Sequence, residues 1–373
     1  MKICLLAQTL YYLQGGGHFW VYLNWALGLK SNGADLVWLE TIDPQEAPES
    51  ISERLRILKK YLSAYGLDCS VALLGHNGEN VFLPEGVHPG EIAFDADLFI
   101  NFRYSLPDGV LGKFKRTALI DIDPGLVQHW VAHGQMSLSP HSAYFTIGTT
   151  VGLPGSKIPS LGLHWHPIRP CIHLPSWPVT ATPEGAPFTT ITHWHASEFV
   201  SDGTTYYENT KRAGFLPFLH LPKKTKAPLE LALLLHFVDP DYARLLQSGW
   251  KAVHSHSIGR TPESYQRYIQ TSAGEFSICK PSYWKMQTGW ISDRTICYLA
   301  SGKPVAVQNT GPLKLDLSGG GLHPFATEEE AAKAFNTILS RYPEEQQRAR
   351  QLAEEHFDAK KITARVIEIC MSS

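Results

Sequence analysis

The sequence predicts an α/β fold made of two domains. The chain has 373 residues, more than one usual domain needs and enough for two separate cores. In both halves, short apolar strand-like runs alternate with longer helix-like stretches, the pattern of parallel sheets covered by helices. Between residues 166 and 188 this alternation stops and prolines accumulate in "HPIRPCIHLPSWPVTATPEGAP". Such a segment is typical of an extended connection, and we place the domain boundary there.

The elements follow from this pattern in chain order. The first half predicts a strand in "KICLLAQ", a helix in "FWVYLNWALGLKSNG", a strand in "ADLVWLE", a helix in "SERLRILKKYLSAYG", and strands in "LFINF" and "ALIDID". The second half resumes with "FTTITHW", "LELALLL", "ARLLQSGWKAVHS" and "PESYQRYIQTSAGEFSI", and it ends in charged helices long enough to fold back. We therefore expect a first domain at 1–175, a second domain at 176–350 and a C-terminal helix at 351–373 that packs on the first domain.

Bulk properties exclude several classes of protein. The formal net charge is -2 and no block of Lys and Arg is present, so nucleic acid is not expected as the main partner. The 6 cysteines form no CxxC pair, which argues against a zinc ribbon or a disulfide scaffold. No segment reaches the ~18 continuous apolar residues of a membrane span, and the start lacks a signal peptide's cleavage site. We expect a cytoplasmic protein without an integral membrane segment.

The stretch "GWISDRTICYLASGKPVAVQ" predicts a short helix followed by a buried strand. Ser292 suits the N-cap, Gly302 ends the helix and Pro304 prevents its continuation. A helix start after a glycine-containing loop presents unpaired N–H groups and the positive dipole end, which favour phosphate. Arg294 would add a forked cation. The pattern indicates a phosphate-bearing small molecule, and an ordinary capped helix is the alternative.

The loop "LQGGGHFW" follows the first strand and opens the first helix. Its three glycines allow a ligand or a neighbouring backbone to approach closely, although the GxGxxG fingerprint is absent. His18 stands where the positive helix end disfavours protonation, so it could serve as a base. The alternative is a histidine that only packs the first turn.

The strand "ALIDIDPG" ends in two carboxylates before a turn. Asp121 or Asp123 could orient His18 or stabilise its charged form. Each could also be an ordinary turn carboxylate, or the two could hold a divalent metal bound to a diphosphate.

Three H-x-H pairs open a different alternative, a zinc hydrolase. Strand alternation puts both histidines of a pair on one face, but no ligand set with the usual spacing emerges. His193 has a second interpretation, because it ends "FTTITH" and would reach a ligand at the strand ends. The pairs are His164 and His166, His193 and His195, and His254 and His256.

Taken together, the chain resembles GT-B glycosyltransferases, especially bacterial glycosyltransferase-like proteins of poorly known substrate. The resemblance covers nearly the whole chain. It implies two Rossmann-like domains facing a cleft, the second binding a nucleotide-diphosphate sugar and the first a small-molecule or glycan acceptor. It is carried by "GGGHFWVYLNWALGLKSNGADLVWLE", "LIDIDPG", "YFTIGTTVGLP", "LELAL", "ESYQRYIQTSAGEFSICK", "GGGLHPFAT" and, most specifically, "TGWISDRTICYLASGKPVAVQNTG".

The resemblance also implies a set of donor-binding residues. "SDRT" would start the helix that receives the diphosphate, and Asp293 would point to ribose or sugar hydroxyls. No metal ligand and no cofactor is expected beyond the nucleotide sugar, and Mg²⁺ is possible but not required. The implied set is Gly16, Gly17, His193, Lys280, Gly289, Trp290, Ser292, Asp293, Arg294 and Thr295.

One departure from the family bears on mechanism. Many retaining members carry a Glu-x7-Glu pattern around this helix, and the matching positions here are Gly289 and Cys297. The departure favours inversion, with His18 as the base and Asp121 or Asp123 assisting it. The alternatives are a nucleotide-sugar epimerase or phosphorylase on the same scaffold, and a non-catalytic nucleotide-sugar- or glycan-binding protein.

Overall fold

The chain folds into two compact units. A computed structural model describes residues 1–196, 199–201 and 206–372. Unit 1 comprises Met1–Pro154, Ile158–Ser176 and Asp358–Ser373, and unit 2 comprises Gly155–Lys157 and Trp177–Phe357. The main change of unit, between Ser176 and Trp177, lies inside the proline-rich segment.

Unit 1 is built on a parallel eight-stranded sheet with the order β4-β3-β2-β1-β5-β6-β7-β8. Its inner strands are almost continuously apolar because helices cover both faces of a parallel sheet. The strands are β1 (Lys2–Leu6), β2 (Asp35–Ile42), β3 (Ser70–Gly75), β4 (His88–Pro89), β5 (Leu98–Asn101), β6 (Thr117–Asp121), β7 (Ala143–Thr146) and β8 (Trp165–Pro167).

The helices of unit 1 differ in how much of their surface they bury. The first is apolar around most of its circumference, as its sequence predicts, and it is buried from Phe19 to Leu29 except at Val21. The second is amphipathic and buries a stripe at Ile51, Leu55, Leu58 and Leu62, the i, i+4, i+7 spacing of one helix face. The helices are α1 (Gly16–Ser31), α2 (Pro48–Ala64), α3 (Asp108–Leu111) and α4 (Leu126–Ala132).

Unit 2 repeats this architecture with a parallel six-stranded sheet in the order β13-β12-β9-β14-β15-β16. An antiparallel ribbon, β10-β11, lies outside this sheet. The strands are β9 (Phe188–His193), β10 (Phe199–Ser201), β11 (Tyr206–Glu208), β12 (Leu229–Leu234), β13 (Lys251–His254), β14 (Gly274–Ser277), β15 (Val305–Gln308) and β16 (Leu322–Phe325).

The core of unit 2 lies between this sheet and its helices and includes Phe188, Leu231, Phe276 and Phe335. The helices are α5 (Lys211–Phe215), α6 (Pro240–Gln247), α7 (Ser255–Ile258), α8 (Pro262–Gln270), α9 (Pro281–Lys285), α10 (Asp293–Ala300), α11 (Glu328–Ser340) and α12 (Tyr342–His356).

The last helix, α13 (Ala359–Ser372), returns to unit 1 and packs on α1. Gly28 makes this approach possible, because a Cβ at its position would lie 2.8 Å from the carbonyl oxygen of Ala359. The amide of Asn32 donates to the carbonyl of Lys360 and to the hydroxyl of Thr363, both at 2.9 Å. The boundary expected after residue 350 falls inside the continuous helix α12, and the chain re-enters unit 1 only at Asp358. Among the helices of the described residues, none has the length and apolar character needed to cross a membrane.

Candidate functional site

A small pocket lies in unit 2 at the carboxyl ends of β14 and β15, beside the first turn of α10. Its cavity volume is about 10 Å³, roughly the least that holds one water molecule. Ligands of open parallel sheets bind at this edge, but whole small-molecule sites begin at roughly 300 Å³. The pocket therefore offers a contact for one group of a larger ligand, such as a phosphate, and does not enclose it. It is lined by Ser277, Cys279, Trp290, Ile291, Ser292, Thr295, Val307, Gln308 and Thr310.

The turn before α10 is fixed to the end of β15. Gly289 has a φ of +65, a conformation that favours glycine, and its N–H donates to the carbonyl of Thr310 at 2.8 Å. The Thr310 hydroxyl donates back to the carbonyl of Trp290 at 2.7 Å. These bonds hold the pocket wall in place. The resemblance implied that Gly289 contacts the donor, and in the structure its backbone conformation shapes the turn before α10.

The N-cap and first turn of α10 carry four of the predicted donor residues, Ser292, Asp293, Arg294 and Thr295. Ser292 is the N-cap, and its Oγ accepts from the Arg294 N–H at 3.2 Å. Thr295 is buried and lines the pocket together with Ser292. Asp293 is the first helical residue, and its direction towards ribose or sugar hydroxyls stays a prediction.

The guanidinium of Arg294 is engaged inside unit 2, and in this it differs from the predicted phosphate contact. Its Nε donates to Glu275 Oε1 at 2.6 Å, one Nη to the carbonyl of Ile191 at 2.8 Å, and the other Nη to Ser277 Oγ at 2.9 Å. The Glu275 side chain is 0% exposed. A buried carboxylate requires a cation beside it, so Arg294 neutralises Glu275 and joins α10 to β9 and β14.

Lys211 is a cation beside the pocket that the sequence analysis did not single out. Its Nζ donates to the carbonyl of Ile278 and lies 5.7 Å from the centre of the Trp290 ring. Desolvation, followed by the positive charge of Arg294, lowers the pKa of Lys211 to about 7. Its local sequence, "NTKRAG", has no pattern that separates it from a surface lysine, because the proximity to Trp290 arises only from the tertiary fold.

Lys280 and Trp290 complete this side of the pocket. Lys280 is the N-cap of α9. Its positive charge contributes to the lowered pKa of Lys211, so the two ammonium groups lie in the same region. The Trp290 ring stacks on Tyr283 with centroids 4.3 Å apart. Its Nε1 is buried without a hydrogen-bond partner among the described residues, and a ligand oxygen would satisfy such a donor.

Two of the H-x-H pairs lie in unit 2, and the first histidine of each ends a strand, His193 in β9 and His254 in β13. His193 ends β9, and desolvation, followed by the nearby His256, lowers its pKa. The rings of His254 and His256 have centroids 5.2 Å apart. Within the described residues, no three His, Cys, Asp or Glu side chains are grouped so that they could hold a metal ion. The zinc-hydrolase alternative therefore has no ligand set in that part of the chain.

His18 lies in the first turn of α1, and its tautomer follows from one hydrogen bond. Its Nε2 is 2.7 Å from the carbonyl oxygen of Gln8. A carbonyl oxygen only accepts, so Nε2 carries the proton and Nδ1 has the free lone pair. Desolvation lowers the pKa of His18. The imidazole is therefore held neutral near pH 7, with one nitrogen able to take a proton.

Asp121, one of the two carboxylates predicted to assist His18, is hydrogen-bonded to other residues in the structure. The Asp121 side chain accepts from Gln128 Nε2 at 2.8 Å, Thr146 Oγ1 at 2.9 Å, Tyr104 Oη at 3.2 Å and the N–H of Asp123 at 3.1 Å. Desolvation raises the pKa of Asp121 to about 6. This carboxylate organises the loop after β6, and the Gln8 carbonyl takes the orienting role at His18. Asp123 follows in the same loop and is partly exposed.

A steric contact explains why residue 15 of the glycine loop is a glycine. A Cβ on Gly15 would lie 2.1 Å from Cε1 of Tyr12, so this glycine accommodates the tyrosine ring. Gly16 and Gly17 begin α1 and belong to unit 1, whereas the other predicted donor residues belong to unit 2. The structure therefore does not bring these two glycines and the α10 pocket together within one unit.

Solved structures share this architecture over the whole chain, although no protein-family model and no curated protein sequence matches it. An alpha-glucosyltransferase in complex with UDP and a 13-mer DNA containing a central A:G mismatch is 11% identical, with 100% of both chains covered and a TM-score of 0.56. An alpha-glucosyltransferase in complex with UDP and a 13-mer DNA containing a HMU base is 12% identical, with 100% of this chain and 99% of that chain covered and a TM-score of 0.53.

At sequence identities of 11% and 12%, the similarity to these structures shows the fold alone. Both units carry a parallel sheet covered by helices, and the C-terminal helix returns to the first unit, as the sequence predicted. The chain has the two Rossmann-like domains of the GT-B glycosyltransferase fold.

Proposed function

We propose that this protein is a glycosyltransferase that moves a sugar from a nucleotide-diphosphate donor to an acceptor hydroxyl. The observation that carries the proposal is the pocket at the start of α10 in unit 2, beside Lys211 and Lys280. The similar structures named above contain UDP, so UDP is the first nucleotide to test. Unit 2 binds the donor in this proposal, and unit 1 provides the base and the acceptor site.

The diphosphate of the donor lies against the pocket, at the first turn of α10, in this proposal. Ser292 and Thr295 lie in the first turn of α10, where backbone N–H groups and the helix dipole favour an anion. Lys211 supplies a nearby cation whose ammonium form a phosphate would stabilise, because an adjacent negative charge raises a lysine pKa. Arg294 acts indirectly, by holding α10 on the sheet.

His18 takes the acceptor proton in this proposal. Its Nδ1 removes the proton of the acceptor hydroxyl, and the freed oxygen forms a bond to the anomeric carbon. The bond from that carbon to the diphosphate oxygen breaks, and the nucleoside diphosphate leaves with one more negative charge. Attack opposite the leaving group inverts the anomeric configuration. Asp123 remains a second candidate for assisting the charged imidazole.

The test separates donor binding from transfer. His18→Ala should lower transfer by at least ~100-fold, the lower end of a general-base contribution, and leave UDP affinity within about twofold in calorimetric titration. Lys211→Met should weaken UDP binding. Exposed residues of the same type, His88→Ala and Lys223→Met, are the matched controls.

Each alternative predicts a different result. Normal turnover of His18→Ala would exclude the base assignment, and an unchanged UDP affinity of Lys211→Met would exclude the phosphate site. Conversion of the donor without acceptor would indicate an epimerase. Retention of the anomeric configuration, read by proton NMR of the product, would contradict inversion.

A further inference from the structure

Two exposed tyrosines lie in the loop between β1 and α1 in unit 1. Tyr11 and Tyr12 lie in a 3-10 turn, Leu10–Tyr12, and they are 47% and 39% exposed. We call these two side chains the aromatic platform. Single exposed apolar residues are common, and consecutive residues of a 3-10 turn point about 120° apart, so each ring offers a face of its own. The ring of Tyr12 is the one that contacts His18.

Contacts with neighbouring residues fix the positions of the Tyr11 and Tyr12 rings. The hydroxyl of Tyr11 accepts from the N–H of Asp43 at 2.8 Å, and the guanidinium of Arg54 lies 4.9 Å from the centre of its ring. The ring of Tyr12 packs against Gly15, which leaves room for it. Because these rings are ordered before binding, a ligand that stacks on them would lose little side-chain entropy.

The platform adjoins His18. The centroids of the Tyr12 and His18 rings are 5.5 Å apart, in an edge-to-face arrangement. The His18 ring also meets Tyr22, which is 3% exposed, at 5.2 Å. The imidazole therefore contacts one buried ring and one exposed ring, and a ligand on the exposed Tyr12 ring lies beside it.

The charges around the platform disfavour an anionic ligand. Arg54 forms an ion pair with Glu46 at 3.0 Å and donates to the carbonyl of Leu10 at 2.8 Å. The cation under the platform is thus already neutralised. Asp43 adds an exposed carboxylate. Phosphate-rich acceptors need clustered cations, whereas carboxylates suit the hydroxyl groups of a neutral sugar.

We infer that the Tyr12 ring of the aromatic platform stacks the ring of a neutral carbohydrate acceptor and places one of its hydroxyls near Nδ1 of His18. Sugar rings present an apolar face of C–H groups that packs on aromatic side chains, while their hydroxyls bind polar groups at the edge. Tyr12 is the specificity-determining residue of this site. The inference rests on the proposed function for the role of His18, and it assigns the class of acceptor.

The experiment measures binding of methyl glycosides of glucose, galactose, mannose and N-acetylglucosamine by saturation-transfer NMR. At least one glycoside should bind, and Tyr12→Ala should weaken its affinity by about three- to tenfold, as expected for loss of one aromatic contact. Tyr12→Phe should retain the affinity. Gly15→Ala should weaken it as well, because the new Cβ displaces the Tyr12 ring without removing it. Phe82→Ala removes an aromatic side chain that is 45% exposed and should have no effect.

Three results would overturn the inference. One is equal affinity of a glycoside for the wild type and for correctly folded Tyr12→Ala. Another is the absence of binding of all four glycosides at millimolar concentration. The third is Tyr12-dependent binding of glucose 6-phosphate or of a 13-mer DNA duplex in place of the glycosides.

A UDP titration of the same proteins distinguishes the two proposals. Normal UDP binding without Tyr12-dependent glycoside binding would reject the platform and leave the glycosyltransferase proposal standing. Tyr12-dependent glycoside binding without UDP binding would keep the platform and reject the donor site, which would leave a glycan-binding protein.

Discussion

At the scale of single residues, the buried pair of Arg294 and Glu275 dominates the region around the pocket. Arg294→Ala would leave the carboxylate of Glu275, which is 0% exposed, without its cation. We predict a loss of about 3–5 kcal/mol in the free energy of unfolding, the usual cost of removing one partner of a buried pair. Urea denaturation followed by circular dichroism measures it.

Two further variants show whether the ion pair causes this loss. The double variant Arg294→Ala with Glu275→Ala removes both charges and should be more stable than Arg294→Ala alone. Arg267→Ala breaks the exposed pair with Glu263 at 2.8 Å and should cost less than about 1 kcal/mol. Equal losses in Arg294→Ala and Arg267→Ala would contradict the buried-charge explanation. A weakened nucleotide affinity of Arg294→Ala is consequently no proof of phosphate contact.

At the scale of elements, Asp121 connects the ends of β6 and β7 to α4 through Thr146 and Gln128. Its pKa is raised to about 6 in the folded protein and is ~3.9 in an unfolded chain. Between these pH values the folded state keeps a proton that the unfolded state loses. The contribution of Asp121 to stability therefore falls as pH rises from about 4 to about 6, by on the order of 3 kcal/mol.

Asp121→Asn should remove this pH dependence. We expect the difference in unfolding free energy between wild type and variant to change by on the order of 3 kcal/mol between pH 4 and pH 7, because the amide does not titrate. Urea denaturation at several pH values measures the difference. Asp108→Asn, at an exposed carboxylate, is the control. Parallel pH profiles for wild type and Asp121→Asn would show that Asp121 does not titrate in this range.

Elements with local signals could be predicted from the sequence. The helix α10 and the strand β15 could be predicted, because Ser292 and Gly302 mark the two ends of the helix within a few residues. The apolar run "LELALLL" likewise became β12. Strand β3 was not identified, because a short apolar run can belong to a strand or to a buried helix and periodicity does not separate them.

Interactions between distant parts of the chain could not be predicted. The guanidinium of Arg294 meets Glu275, which precedes it by 19 residues, and no spacing rule connects the two. For the same reason the roles of Lys211 and of the Gln8 carbonyl were missed, although His18 was singled out. The break between α12 and α13 could have been predicted, because Asp358 is a residue type that suits a helix cap. In the structure, its side chain accepts from the N–H of Lys360 at 3.0 Å.

At the scale of the whole molecule, unit 1 depends on a helix that is encoded after unit 2. Deletion of residues 358–373 should expose the face of α1 that contacts α13 and destabilise unit 1, because buried apolar surface becomes hydrated. Hydrogen exchange followed by mass spectrometry should show faster exchange in α1 and unchanged protection in β12 and β14 of unit 2. Uniformly faster exchange in both units, or no change in α1, would contradict this expectation.

The return of α13 also sets the order in which the protein can mature during its synthesis. The ribosome completes β1 to β8 early, but the helix that covers α1 emerges only after the entire second unit. The nascent chain therefore carries an uncovered apolar helix face while unit 2 is being made, a surface that chaperones recognise. Unit 2, whose segments are nearly contiguous, can reach its native state first. Unit 1 completes its folding last, when α13 packs on α1.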